Sequence, residues 1–154
     1  MAIKFGKNVL GEIGEHALKC YPLECCGVVV ALPDEGHEVV RVRNIQDEMH
    51  AADPERYPRT AASAYSGHPG DLKRALDMAG AEGHSLAAFY HSHPDHEAYF
   101  SAEDLAQATP FGEPSYPGAA QLVIAVMEGR VAEMKAFVWS EEEGQYLETE
   151  IERP

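Results

Sequence analysis

The sequence predicts a single α/β domain in which a mixed β-sheet is flanked by helices, and three observations carry that expectation. Apolar runs of strand length recur at Cys25 to Leu32, Ser85 to Tyr90 and Gln121 to Met127. Two stretches with apolar residues at helical spacing, Val9 to Lys19 and Asp71 to Ala81, alternate with those runs. The C-terminal part folds back through the tight turn Glu128-Gly129-Arg130 between two strand-like segments. A chain of 154 residues can bury one full core and is too short for two ordinary domains, so residues 1–154 are read as one domain.

Each element has a local reason. Val9, Leu10, Ile13, Ala17 and Leu18 form one face of the first helix, which Tyr21-Pro22 ends. Cys25 to Leu32 is continuous and valine-rich, as a strand buried on both faces requires. Pro33-Asp34-Glu35-Gly36 makes a turn, and Glu38 to Asn44 alternates as the hairpin partner. From Ile45 to Gly70 the chain is polar, with Pro54, Pro58 and Pro69 and little periodicity. A connection of that length is more often functional or mobile than idle. Leu72, Ala75, Leu76 and Ala79 restore a helix, and Gly83 stops it. Pro94 removes a backbone donor and is expected to end the pairing of the strand before it. A short helix from Ser101 to about Ala108 precedes the turn-rich loop Thr109 to Gly118, a candidate wall of a substrate groove. Gln121 to Met127 and Val131 to Trp139 are strands, and the alternating segment Gln145 to Glu152 closes the sheet.

Composition excludes several classes. With 26 acidic against 12 basic residues the net charge is −14, which repels phosphate backbones and argues against a nucleic-acid partner. Such a surface suits either high salt or plain solubility. Cys20, Cys25 and Cys26 are an odd number, and neighbours such as Cys25 and Cys26 rarely bridge. A reducing, cytoplasmic setting is therefore expected. No run approaches the ~20 apolar residues that span a bilayer, and no signal-length apolar stretch opens the chain, so no membrane association is expected.

The chemistry concentrates between Tyr90 and Leu105. Strand alternation turns His91 and His93 to the same face at the strand's exit. About one helical turn separates Ser101 from Asp104, placing both on one face at a helix start. The same four residues also read as a helix N-terminus, with Ser101 as cap and an acid reaching back. Two imidazoles and one carboxylate form a three-ligand set that leaves a fourth tetrahedral position for water, as catalytic zinc requires. His96 falls in the following loop and is read as pocket rim. Cys25 and Cys26 alternate to opposite faces of a valine-rich strand and are read as core filling rather than thiol ligands.

His91-Ser-His93-Pro94, a spacer of six residues, and Ser101-Ala-Glu-Asp104 together resemble the His-x-His-Pro, Ser-x-x-Asp pattern of the JAMM (MPN+) zinc metalloprotease domain. Tyr21-Pro-Leu-Glu24-Cys-Cys-Gly27 resembles the prokaryotic form of that family's upstream glutamate segment. The resemblance spans about residues 3 to 150 and implies an α/β/α, cytidine-deaminase-like core. It implies one zinc ion per chain on His91, His93 and Asp104, with Glu24 as general base and then acid, and Ser101 as oxyanion donor. It also implies hydrolysis of the peptide or isopeptide bond after the Gly-Gly tail of a ubiquitin-like or sulfur-carrier β-grasp protein. The extended tail would join a sheet edge, and the protein would act as a monomer or homodimer. Two other classes compete with this reading. A non-catalytic MPN-type protein-binding scaffold would lack the ligand set that this chain keeps. A nucleobase deaminase would need His-x-Glu and Pro-Cys-x-x-Cys ligands, and neither occurs.

Overall fold

The computed structural model describes residues 2–6 and 8–152. The elements run β1 (Ala2–Lys4), α1 (Val9–Cys20), β2 (Cys26–Ala31), β3 (His37–Val42), α2 (Gln46–Ala52), α3 (Pro69–Ala79), β4 (Ser85–Pro94), α4 (Ala102–Ala108), β5 (Ala120–Met127), β6 (Arg130–Ser140) and β7 (Gln145–Glu152). The strands form one sheet in the order β1-β7-β6-β5-β4-β2-β3. Its pairs are antiparallel except β1 with β7 and β4 with β5. The mixed sheet expected from the sequence is thus present.

Alternation along the central strands builds a core on each face. Val9, Ile13 and Ala17 of α1 pack on Val29, Tyr90 and Ile124. On the opposite face Ala75 and Leu72 of α3 meet Cys26, Val28 and Val30. The segment leading into α4 covers the rest of that face, with Ala98 and Phe100 against Val123 and Phe137. Because β2 and β5 have apolar partners on both sides, their sequences are continuous rather than alternating in polarity. Cys25 and Cys26 fall in opposite cores as small buried fillers, both without a disulfide. Gly27 has a packing reason: a β-carbon there would collide with the ring of Tyr90, its partner across β2 and β4. Among the described residues no helix is long and apolar enough to cross a membrane.

Under α1, His16 Nδ1 lies 2.6 Å from the Tyr90 hydroxyl oxygen. Burial, assisted by Arg41 and Lys19, lowers the His16 pKa from 6.5 to about 4. The unfolded chain gains this proton as the pH falls through 6.5 and the folded chain does not until about 4. Stability from this group is therefore complete above the upper value and erodes on acidification across the window. The expected loss is about 1–2 kcal/mol once solvent screening is allowed for. Urea midpoints at neutral pH and near the lower value should show it in the wild type and not in His16→Gln.

Two elements differ from expectation. β1 is a three-residue strand that pairs with the end of β7, too short to carry a readable period. The polar connection Ile45 to Gly70 contains α2, in which Gln46 alone is buried, so there is no apolar face to detect. Polar pins hold this connection in place of a core. Asn44 Nδ2 donates to the carbonyls of Glu24 (3.0 Å) and Ala64 (3.1 Å), while its Oδ1 accepts from the Gln46 and Ser66 amides, each at 3.0 Å. Gln46 Nε2 donates to the Arg59 carbonyl at 2.9 Å. At about 0.5–1.5 kcal/mol per bond, Asn44→Ala should cost about 2–4 kcal/mol and expose residues 45–68 to proteolysis. Denaturant titration and limited proteolysis would register both effects.

Candidate metal centre

The strand β4 delivers the two histidines as alternation requires. His91 and His93 project to one face, while Ser92 turns to the other and its Oγ accepts the Cys25 amide at 2.8 Å. The strand continues one step further than expected, since pairing with β2 reaches His91 and pairing with β5 extends through Pro94. The helix α4 delivers the carboxylate. Ser101 Oγ accepts the Asp104 amide and Asp104 Oδ2 accepts the Ser101 amide, both at 3.0 Å, closing a reciprocal capping box. Cap and ligand position are thus one arrangement, because the box that starts the helix also aims the Asp104 carboxylate at the histidines. The cap engages Ser101 only as an acceptor, which leaves its hydroxyl proton free to donate.

His91 Nε2, His93 Nε2 and Asp104 Oδ2 form a buried triangle with sides of 3.0, 3.2 and 3.2 Å. Metal bonds of ~2.0–2.1 Å in tetrahedral geometry place neighbouring ligand atoms about 3.3 Å apart, so the triangle suits one small divalent cation. The donor chemistry agrees. His93 Nδ1 lies 2.8 Å from the Glu97 carbonyl, which can only accept, so Nδ1 carries the proton and Nε2 offers its lone pair. His93 Nε2 and Asp104 Oδ2 then face each other as two acceptors 3.2 Å apart, a contact that a cation between them would satisfy.

Electrostatics follow from the same contacts. Burial works to raise the Asp104 pKa, but its close contacts with the His91 and His93 imidazoles overcome it and hold the carboxyl far below its usual range. Burial lowers the His91 pKa against the pull of Asp104. Burial acts on His93 in the same sense, yet the bonds to Asp104 and the Glu97 carbonyl prevail and its pKa rises.

Glu24 reaches the same place from a distant part of the sequence. With His93, Ser101 and Asp104 it lines a cleft of about 290 Å³. Its side chain is buried, and that burial is the main reason its pKa climbs from 4.5 to about 8; His93 opposes the rise and Asp104 adds to it. His96 lines the cleft as the rim residue expected. Three participants were not among the expected site residues. Tyr65 stacks on His91 with 4.6 Å between ring centroids. Tyr99 sets its ring edge-on to His93 at 5.3 Å. Arg59 of the long connection pairs with Glu103 of α4 at 2.9 Å, linking two walls of the cleft. The outer strands are β1 and β3, whereas β4 lies between β2 and β5.

A mixed sheet between helices, with a His-x-His strand and a capped Ser-x-x-Asp helix meeting at one candidate metal site, defines a domain of the JAB/MPN class. The profile of the family described as prokaryotic homologs of the JAB domain matches residues 6–140, and the chain belongs to that family. Solved structures agree on the fold. A solution structure of a protein from Desulfitobacterium hafniense is similar at 22% identity and TM-score 0.67, covering 97% of this chain and 91% of that one. A solution structure from Salinibacter ruber is similar at 26% identity and TM-score 0.62, covering 99% and 92%. A crystal structure of a JAB1/MPN domain protein from Archaeoglobus fulgidus is similar at 18% identity and TM-score 0.52, covering 99% and 100%. Among curated proteins, sequence comparison finds no match.

Proposed function

We propose that the protein is a zinc-dependent metallopeptidase that cuts after the Gly-Gly tail of a ubiquitin-like or sulfur-carrier β-grasp protein. The observation that carries this reading is the convergence of Glu24, a buried carboxylate outside the ligand triangle, on the cleft that contains His93, Ser101 and Asp104. A purely structural metal site has no use for a second buried carboxylate beside it.

His91, His93 and Asp104 would hold the ion, and two imidazoles with one carboxylate suit zinc. A zinc ion there supplies Lewis acidity, polarising a carbonyl and making water nucleophilic at neutral pH. Glu24 takes the proton of the attacking water and passes it to the departing nitrogen, a base-then-acid role worth typically ~10²–10⁴-fold. Ser101 donates its free hydroxyl proton to the carbonyl oxygen as that oxygen gains charge. Ser101→Ala should cost ~2.7–4 kcal/mol in transition-state stabilisation, read from kcat/KM. Its stability loss of ~1 kcal/mol from the weakened cap is a separate effect, read by denaturation. The tail's glycines suit a cleft walled by Tyr65 and Tyr99, where side chains on the acyl side of the scissile bond would be crowded.

The deciding experiment incubates zinc-loaded protein with sulfur-carrier proteins extended beyond Gly-Gly and follows the masses. Release of the extension supports the proposal. A carrier that binds under zinc-replete conditions and is never cut supports the protein-binding scaffold instead.

A further inference from the structure

A second cavity adjoins the metal cleft. It holds about 220 Å³ between α3, the end of α4 and the loop before β5. Leu72, Phe89, Ala108 and Tyr116 line it, while Tyr65 and Gln107 belong both to its wall and to that of the metal cleft. Tyr65 lies against His91 at an interplanar angle of 23°, so a single ring separates the cavity from a ligand of the candidate metal site. Tyr116 rests on Phe89 at 5.3 Å, which makes the Thr109 to Gly118 loop part of the cavity wall. Among the described residues no charged one lines the cavity, in a chain of which 25% is charged. Its volume lies below the roughly 300–1,000 Å³ of whole-ligand sites and suits one large apolar side chain.

We infer that this cavity is a specificity pocket for an apolar residue, such as leucine, methionine or phenylalanine, directly after the substrate's Gly-Gly. The inference rests on the peptidase reading above. Two glycines on the acyl side bring no side chain to the metal, so the first side chain to be housed nearby belongs to the leaving segment. A carboxylate or ammonium at that position would be desolvated against walls that offer hydroxyls and amides but no opposite charge.

The test uses peptides with Gly-Gly-Leu, Gly-Gly-Ala and Gly-Gly-Asp centres, zinc-loaded wild type, and Ala108→Leu, which fills the cavity from the last residue of α4. Wild type should favour leucine over aspartate by ~10–200-fold in kcat/KM, and the variant should reduce the leucine-to-alanine ratio to within about threefold. A second readout needs no turnover. In metal-free protein the leucine peptide should shift the NMR signals of Leu72 and Phe89, the aspartate peptide should not, and Ala108→Leu should abolish the shift. Equal kcat/KM for all three peptides overturns the pocket while leaving the peptidase reading intact. A leucine-specific shift without cleavage supports the pocket and counts against the peptidase reading. Absence of any shift overturns the pocket.

Discussion

Glu24→Gln should retain a wild-type zinc content and lose turnover by about 10²–10⁴-fold. The amide matches the carboxylate in shape and lies outside the triangle of His91, His93 and Asp104, so ligation is untouched. What the variant lacks is a site that can accept a proton and return it. Stability supplies an internal control with a definite sign. In metal-free protein the Glu24 pKa stands at about 8 against 4.5 in an unfolded chain, chiefly through burial. The folded state therefore holds a proton that the unfolded state has lost. Stability from this group is present below the lower value and is lost as the pH rises through the upper one. Wild type stripped of metal should weaken across that range, whereas Glu24→Gln should not, and near pH 7 the variant should melt higher than its parent. Metal analysis, steady-state kinetics and thermal melts at several pH values together decide the matter. A variant that cleaves at the parental rate would remove Glu24 from the mechanism.

The site was legible to the extent that its geometry is local. His91 and His93 share a face because strands have a period of two, and Ser101 and Asp104 meet because they are one helical turn apart. Those relations can be read without a fold. Glu24 could be picked out only by resemblance, because its position comes from strand register. The antiparallel pairing of Cys26 with His91 carries Glu24, two residues earlier, toward the level of His93. Nothing in the spacing of residue 24 from residue 93 encodes that register. Tyr65 and Arg59 were hidden more deeply. Both sit in a connection held by Asn44 and Gln46 through polar bonds, which leave no hydrophobic period. The fold followed the same rule: β2, β4 and β5 announced themselves by apolar runs, while α2 bears no apolar stripe and β1 is three residues long.

Asp104→Asn should separate the metal centre from the fold that builds it. The amide oxygen can still accept the Ser101 N–H and the backbone N–H of residue 104 can still reach Ser101 Oγ, so the capping box and α4 should survive. The negative charge would be gone. Asp104 is held ionised by its histidine partners, and it is the only anionic member of the triangle. Two neutral imidazoles and a weakly donating amide would remain for a divalent cation. Losing an outer-shell partner already costs ~10–100-fold in affinity, so loss of this charged ligand should exceed that. Zinc per chain after dialysis should fall from about one to a small fraction, with a denaturation midpoint in metal-free buffer near that of the wild type. The comparison distinguishes two roles for the ion. If zinc served the fold, the metal-loaded variant would lose stability in step with its zinc. If zinc serves chemistry, the variant stays folded without it, retains its affinity for the carrier protein and loses only cleavage. Full zinc retention by Asp104→Asn would show that the ion is held elsewhere.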